Sequence, residues 1–506
     1  MNLGQLKNSG FLFAGQLLIK SSGFLKQIIL AFYLGLSYQI DLLLIAQIIP
    51  SLIASMISGS AGEIIVTTRK TNDEYDNKLI SLLVHSTIII TILLLGIYLI
   101  FIKFFLIDLF YVQPENQNLF WELTWIVVLS KIPASYVSSL QHILFAKGKY
   151  KFFVFASLIS EIIGLFTIFL FVNDLGILSF TIALMTIAAS NALFLLYAHK
   201  IEFWILFNIK EWKNRYNEII QINKKIFFLS AQTLINQLTL FTERFMSFWY
   251  LQPGYLSALN YSKNLTQLPQ MVMLSSILTT TYVEQNKKSQ IDYKNYKEYS
   301  AKMYSILIRI SIIFQYLSLL FGPLILIVFF RRGAFDNEDV KITFDIYQIL
   351  SLSFVPSTMI SFLSRTLYIE NKYKLILKFV FLKFIIETLL IIAFINNHFL
   401  IIPISLVIGK FILSFALFSV IKSQLLQGFN WYLYFKDYFF LLVFSLLVLF
   451  FNQFMFPTIL KIDVYYLILI YIPVAIMLVV LLNFYLKKKW DFNLIHLISK
   501  KSIDKR

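Results

Sequence analysis

The feature that most constrains this chain is the recurrence, from end to end, of apolar stretches about 20 residues long. A helix of that length crosses the roughly 30 Å hydrocarbon layer of a bilayer with every backbone group bonded internally. Stretches 79–106, 152–172, 177–198, 306–330 and 464–486 are of this kind, and no soluble domain of useful size fits between them. The composition agrees, with 58% hydrophobic and only 14% charged residues, where a soluble domain carries roughly 25% charged. A soluble chain this apolar would be covered in adhesive patches, a difficulty that disappears when hydrocarbon is the solvent. The expected fold class is therefore all-α integral membrane.

Windows of about 20 residues place about 14 spans, near 10–34, 41–66, 79–106, 121–146, 152–172, 177–198, 226–251, 256–283, 306–330, 342–368, 375–395, 400–421, 431–454 and 464–486. Loop charge tests the count, because cytoplasmic loops are enriched in Lys and Arg. Every second loop is basic: Arg69, Lys70 and Lys78, then Lys147, Lys149 and Lys151, then the run from Lys200 to Lys225, then Lys287 to Lys302, Lys372 and Lys374, Lys422, and the tail from Lys487 to Arg506. The alternate loops are short and poor in positive charge, with Arg331, Arg332, Lys341 and Lys461 as the exceptions. An even span count with both termini in the cytoplasm follows. The net charge of +17 is thereby read as topogenic, and no nucleic-acid partner is expected. The N-terminus lacks a cleavable signal pattern, so the first helix is expected to insert and stay. With no cysteine, disulfides and thiolate metal sites are excluded.

An internal repeat runs through the chain. Gln16-Leu17-Leu18-Ile19 resembles Gln232-Thr233-Leu234-Ile235, Phe32 and Phe248 keep the same spacing from it, and Pro50 and Pro269 fall at matching depths after a small insertion. Six spans separate the copies, so both have the same orientation, which implies two parallel lobes related by an axis along the membrane normal. The expected division is 1–224 for the N-terminal lobe, 225–421 for the C-terminal lobe, and 422–506 for two further spans and a basic tail.

Charged side chains inside spans are costly and face a cavity, a partner or an interface. Here they include Lys20, Lys26, Asp41, Glu63, Lys131, Glu161, Glu243, Arg244, Lys263, Arg309, Arg365, Lys378, Lys383, Glu387 and Lys410. One reading is a hydrated central cavity of net positive charge, in which Lys20 and Lys26 bind a phosphate or diphosphate as point charges. The competing reading has the long lysine stems snorkelling to an interface; for Lys26, near mid-span, the cavity is favoured, while for Lys378, Lys383 and Lys410 the two are balanced. Glu243 and Arg244 are candidates for pairing with neighbours. Prolines at 50, 133, 269, 323, 356 and 403 permit bending. No Walker A pattern and no H-E-x-x-H occur, the five histidines are scattered, and the outward loops are too short for a catalytic domain. A transporter is expected, not an enzyme; no cofactor is called for, and the coupling ion, Na+ or H+, stays open.

The segment SSGFLKQIILAFYLGLSYQIDLLLIAQIIPSLI (21–53), with Gly23, Phe24, Lys26, Gly35, Asp41 and Pro50, resembles the first two helices of MurJ-like lipid II flippases of the multidrug/oligosaccharidyl-lipid/polysaccharide (MOP) superfamily. NYSKNLTQLP (260–269) is similar to that family's eighth-helix motif, and FFRRGAFDNEDV (329–340) with LSRTLYIENKY (363–373) to its R-G-A-F loop and the following helix end. The resemblance implies a central cavity whose basic residues bind the diphosphate of an undecaprenyl-linked sugar while the two lobes alternate access. By position it implies substrate-binding roles for Lys20, Lys26, Asp41, Lys263, Asn264 and Gln267, and conformational roles for Pro50, Pro269, Arg332, Gly333 and Arg365. Ala54 and Asn264 depart from the pattern, standing where the family carries basic residues, so a surface-polysaccharide repeat unit fits at least as well as lipid II. The resemblance further implies the bacterial inner membrane, with the lipid-linked glycan and membrane lipid as partners; nothing in the chain requires a partner subunit, so a monomer is expected. The alternatives are a cation-coupled multidrug exporter of the same fold, which would want an acidic cavity, and a membrane polysaccharide polymerase or ligase, which would want a larger outward loop.

Overall fold

The computed structural model describes residues 3–59, 77–103, 112–146, 150–199, 208–269, 275–370 and 372–425, with 445, 448–450, 452, 456 and 473. The expected spans 431–454 and 464–486 lie outside the described residues but for those few.

Among the described residues the structure is helical, with no strand. The helices are α1 (Leu3–Leu34), α2 (Tyr38–Ala46), α3 (Ile48–Ala54), α4 (Asn77–Phe101), α5 (Gln117–Ala146), α6 (Tyr150–Leu175), α7 (Ile177–His199), α8 (Ile209–Asn214), α9 (Tyr216–Tyr250), α10 (Tyr255–Pro269), α11 (Ser275–Ile291), α12 (Tyr293–Phe330), α13 (Asn337–Ser351), α14 (Phe354–Ile369), α15 (Tyr373–Phe394) and α16 (Ile401–Leu425). Eight candidate spans among the described residues are long and apolar enough to cross a membrane, and nine if the pair α13–α14, bent by 45°, counts as one. Helices occupy the described parts of the first twelve expected spans; residues 60–66, 104–106 and 270–274 of them lie outside the described residues.

The breaks have local causes. Pro50 lacks the amide that would bond the carbonyl of Ala46, and its ring crowds that carbonyl; the helix breaks there, at Gln47, between α2 and α3. Pro356 stands three residues into α14, just past the bend. By contrast Pro133 and Pro323 sit inside the unbroken helices α5 and α12.

The helices form two bundles. In the first, α5 and α6 pack on α7, and α1 lies against α6; in the second, α15 and α14 pack on α16, α10 on α13, and α9 on α15. Each has its own core, around Leu83, Leu140 and Leu195 in one and Leu307, Leu363 and Leu417 in the other. A third cluster joins them, with Ile40 to Ile48 from the first bundle against Leu256, Tyr261, Phe330 and Phe335 from the second. Outward faces carry large exposed apolar side chains such as Leu93, Ile97, Ile162, Phe166 and Leu389, as a lipid-facing surface requires. The sequence repeat is visible in this frame. In both copies a long helix ends (Leu34, Tyr250), a glycine takes positive φ (Gly35, 57°; Gly254, 89°), and a second helix starts (Tyr38, Tyr255).

Candidate functional site

Two features stand out, a closure where the bundles meet and a charged cavity inside the second bundle.

The closure is built from three short connections of the basic-poor set, 35–37, 251–254 and 331–336. The Asp41 carboxylate, 2% exposed, accepts the amide hydrogens of Gly254 and Ser257 at 2.7 Å each and the Ser257 hydroxyl. It thus serves the N-terminus of α10, a helix of the other bundle, where unpaired N–H groups and the helix dipole favour negative charge. Asp339 returns the interaction, accepting the Leu36 amide at 3.1 Å just ahead of α2. Phe32 accepts the Ala334 amide at 2.8 Å, and Arg244 of α9 donates to the Leu44 carbonyl of α2 at 2.8 Å. Side chains seal the same region: Tyr38 stacks on Phe248 with ring centroids 5.5 Å apart, and Phe24 meets the edges of Phe329 and Phe330 at 5.6 and 5.8 Å.

Glycine is required here by space as well as by φ. A Cβ on Gly35 would meet the Ala334 carbonyl, one on Gly254 the Leu36 carbonyl, and one on Gly333 (φ 61°) the Phe32 carbonyl. Each contact crosses between the bundles, so the chains approach at backbone distance.

The cavity, of about 160 Å³, lies wholly within the second bundle. Asn236, Thr239 and Glu243 line it from α9, Lys263, Thr266 and Gln267 from α10, Ser353 from the α13–α14 bend, Lys383 and Glu387 from α15, and Lys410 from α16. Glu243 is paired with Lys263. Lys383 bonds Glu387 at 2.9 Å, one helical turn along, and Lys410 donates to the Ser353 hydroxyl at 3.0 Å. The Glu387 side chain lies against Gly409, where any Cβ would collide with it.

The expected site residues are thereby divided. Lys263 and Gln267 share the cavity, while Asn264, next in the chain, is not among its lining. Lys26 belongs to the first bundle, where its ammonium pairs with Glu161 at 2.6 Å and Ser22 donates to the same carboxylate at 3.1 Å. Lys20 is exposed on α1. Asp41 serves the closure, together with Gly333. Arg332 is exposed and donates to the Val328 carbonyl, and Arg365 lies with its guanidinium 6.0 Å from the Tyr282 ring centroid. Pro50 is buried at the α2–α3 break. Lys383, Glu387 and Lys410 were absent from the expected site. The available signal was the four-residue spacing of Lys383 and Glu387 inside an apolar span, which makes a pair on one helix face.

Two helical bundles that meet at a hydrogen-bonded closure, with ion pairs inside their apolar spans, make a multi-span helical fold. The model of the family "Lipid II flippase MurJ" matches residues 30–470, and the chain belongs to this family of flippases, which are transporters and not enzymes. Among solved structures, a lipid II flippase MurJ in an inward closed conformation is 17% identical, with a TM-score of 0.66, covering 88% of this chain and 99% of that one. An inward-facing multidrug-resistance MATE transporter of the MOP superfamily is 13% identical, with a TM-score of 0.62, covering 82% and 94%. A MOP superfamily transporter from Pyrococcus furiosus, described as having a binding pocket of reversed polarity, is 14% identical, with a TM-score of 0.53, covering 83% and 95%. At these identities the likeness speaks to the fold. No curated protein sequence matches the chain.

Proposed function

We propose that this protein translocates an undecaprenyl-diphosphate-linked glycan, a surface-polysaccharide repeat unit or lipid II, across the bacterial inner membrane by alternating access. The observation that carries the reading is the closure between the bundles: Asp41 and Asp339 each hold the start of a helix in the opposite bundle. A transporter needs such a seal on one side while the other admits substrate, and hydrogen bonds at helix ends are sites that can part without breaking either core.

In this reading the lobes divide near 1–224 and 225–421, with 422–506 adding two spans and a tail. The termini are cytoplasmic and the closure faces outward, in keeping with the loop charges. The headgroup enters from the cytoplasm, its diphosphate held by Lys20 and Lys26 from α1 and by Lys263, Asn264 and Gln267 from α10, while the lipid tail stays in the bilayer. Pro50, Pro269 and Arg365 lie where helices bend or change partners as the lobes rock. With Ala54 and Asn264 neutral where the family is basic, the polysaccharide repeat unit fits at least as well as lipid II.

Depletion in the native bacterium, followed by mass analysis of undecaprenyl-linked intermediates, tests this. Lipid II accumulating with lysis assigns the peptidoglycan precursor. Another lipid-linked oligosaccharide accumulating in viable cells assigns a surface polysaccharide. No accumulation of either overturns the proposal.

A further inference from the structure

The charges in the C-terminal cavity do not balance. Glu243 is taken by Lys263 and Glu387 by Lys383, so each carboxylate already has an ammonium. Lys410 is the third ammonium, and its hydrogen-bond partner among the described residues is the neutral hydroxyl of Ser353. Glu387 and Glu243 lie within electrostatic reach of Lys410 but each is bonded to another ammonium, so the buried charge of Lys410 is only partly offset, which is costly inside a span. Beside it lies a polar space of about 160 Å³, several times the ~30 Å³ share of one water. Asn236 of α9 and Gln267 of α10 line the same space, and their amides can donate to an acceptor oxygen.

We infer that this cavity is an oxyanion site, in which Lys410 supplies the charge for a phosphate or carboxylate group and Asn236 and Gln267 complete its hydrogen bonds. One feature pulls the other way: Glu387 Oε1 is buried without a hydrogen-bond partner among the described residues, and a bare carboxylate oxygen attracts cations. Three ammonium groups line the cavity against two carboxylates, so a metal cation is repelled by the sum and an anion is drawn. The same chemistry is offered by an acidic sugar of a carried glycan and by a phosphate, whether free or on the headgroup. The site is distinct from Lys26, which lies in the other bundle with its own carboxylate.

The test is ligand-induced stabilisation of the full-length protein in lipid nanodiscs. Melting temperature is followed against inorganic phosphate, glucuronate and neutral glucose, with sodium held constant and then replaced by N-methylglucamine. Saturable stabilisation by phosphate or glucuronate, none by glucose and no dependence on sodium is the expected result. A preference for glucuronate identifies a sugar carboxylate as the ligand, and a preference for phosphate a phosphate group. Lys410→Met should raise the half-saturating concentration at least about tenfold, the equivalent of one lost charge-assisted contact, and Lys410→Arg should retain binding. Stabilisation that follows sodium, an absent response, or equal responses from the native protein and Lys410→Met would overturn the inference. If Lys410→Met does not fold, the ion series on the native protein and Lys410→Arg still decide. Because binding is read without transport, this site can fail while lipid-linked intermediates still accumulate on depletion, and the reverse.

Discussion

Asp41 and Ser257 lie 216 residues apart in the chain and in different bundles, yet the carboxylate of one takes both the amide and the hydroxyl hydrogen of the other. With the Gly254 amide as a third donor, Asp41 acts as the cap of a helix to which it does not belong. Hydrogen bonds to a charged group contribute about 1.5–3 kcal/mol each, so a few such contacts set the balance between a closed and an open interface.

Removing that charge should open the closure. Asp41→Asn keeps the shape but loses the charge, and Asp41→Ala loses both. The native chain has no cysteine, so Ser37→Cys, placed beside Ser257, reports on the closure without background. We expect its thiol to react slowly in the native background and at least about tenfold faster with Asp41→Ala, a factor that corresponds to about 1.4 kcal/mol, with Asp41→Asn between them. Equal rates in all three backgrounds would show that Asp41 does not hold the closure.

The inter-bundle glycines give a prediction of opposite sign to a helical control. Gly333→Ala meets both a left-handed backbone, costing about 1–2 kcal/mol, and the Phe32 carbonyl; Gly254→Ala meets the Leu36 carbonyl in the same way. Both should lower the melting temperature and speed labelling at Ser37→Cys. Gly23→Ala, in mid-helix with open space around it, should instead gain about 0.5–1 kcal/mol. A stabilised Gly333→Ala would contradict the close approach described here.

Much of this was readable from the residues. Apolar run length placed the helices, and the repeat around Gln16 and Gln232 aligned two helix pairs, while the glycines that join each pair, Gly35 and Gly254, were not part of it. What stayed hidden was pairing over distance. Lys26 and Glu161 are both conspicuous in apolar spans, but 135 positions separate them and no periodicity links one to the other. Lys263 and Lys410 come from different helices and share a cavity only because α10 and α16 pack around the α13–α14 bend. Local rules reach three or four residues along a helix, so they can join Lys383 to Glu387 but cannot bring Lys263 or Lys410 to them.

Arg244 offers a prediction about stability. Its guanidinium bonds the Leu44 carbonyl at 2.8 Å, three residues before the helix breaks at Gln47. Arg244→Met should destabilise the protein by about 1.5–3 kcal/mol, the range for a hydrogen bond to a charged group, seen as a lower melting temperature. Arg244→Lys, with a compact ammonium in place of the planar fork, should recover only part of it. A melting temperature unchanged in Arg244→Met would mean that the contact contributes nothing to folding.

The Lys26–Glu161 pair, with side chains 15% and 14% exposed, separates a structural role from a substrate role. If Lys26 only balances Glu161, then Glu161→Gln strands the ammonium and Lys26→Met strands the carboxylate, each at a cost of up to about 3 kcal/mol, and the double variant recovers both stability and activity. If Lys26 also meets the diphosphate, the two single variants part company in complementation of a depleted strain. Glu161→Gln leaves the ammonium for the substrate and should retain activity, while Lys26→Met should lose it whether or not Glu161 is neutral. The proposed function requires the second pattern. A double variant that folds normally and restores growth would place Lys26 among the residues that hold the bundle together, and the diphosphate would have to be held by Lys20 and α10 without it.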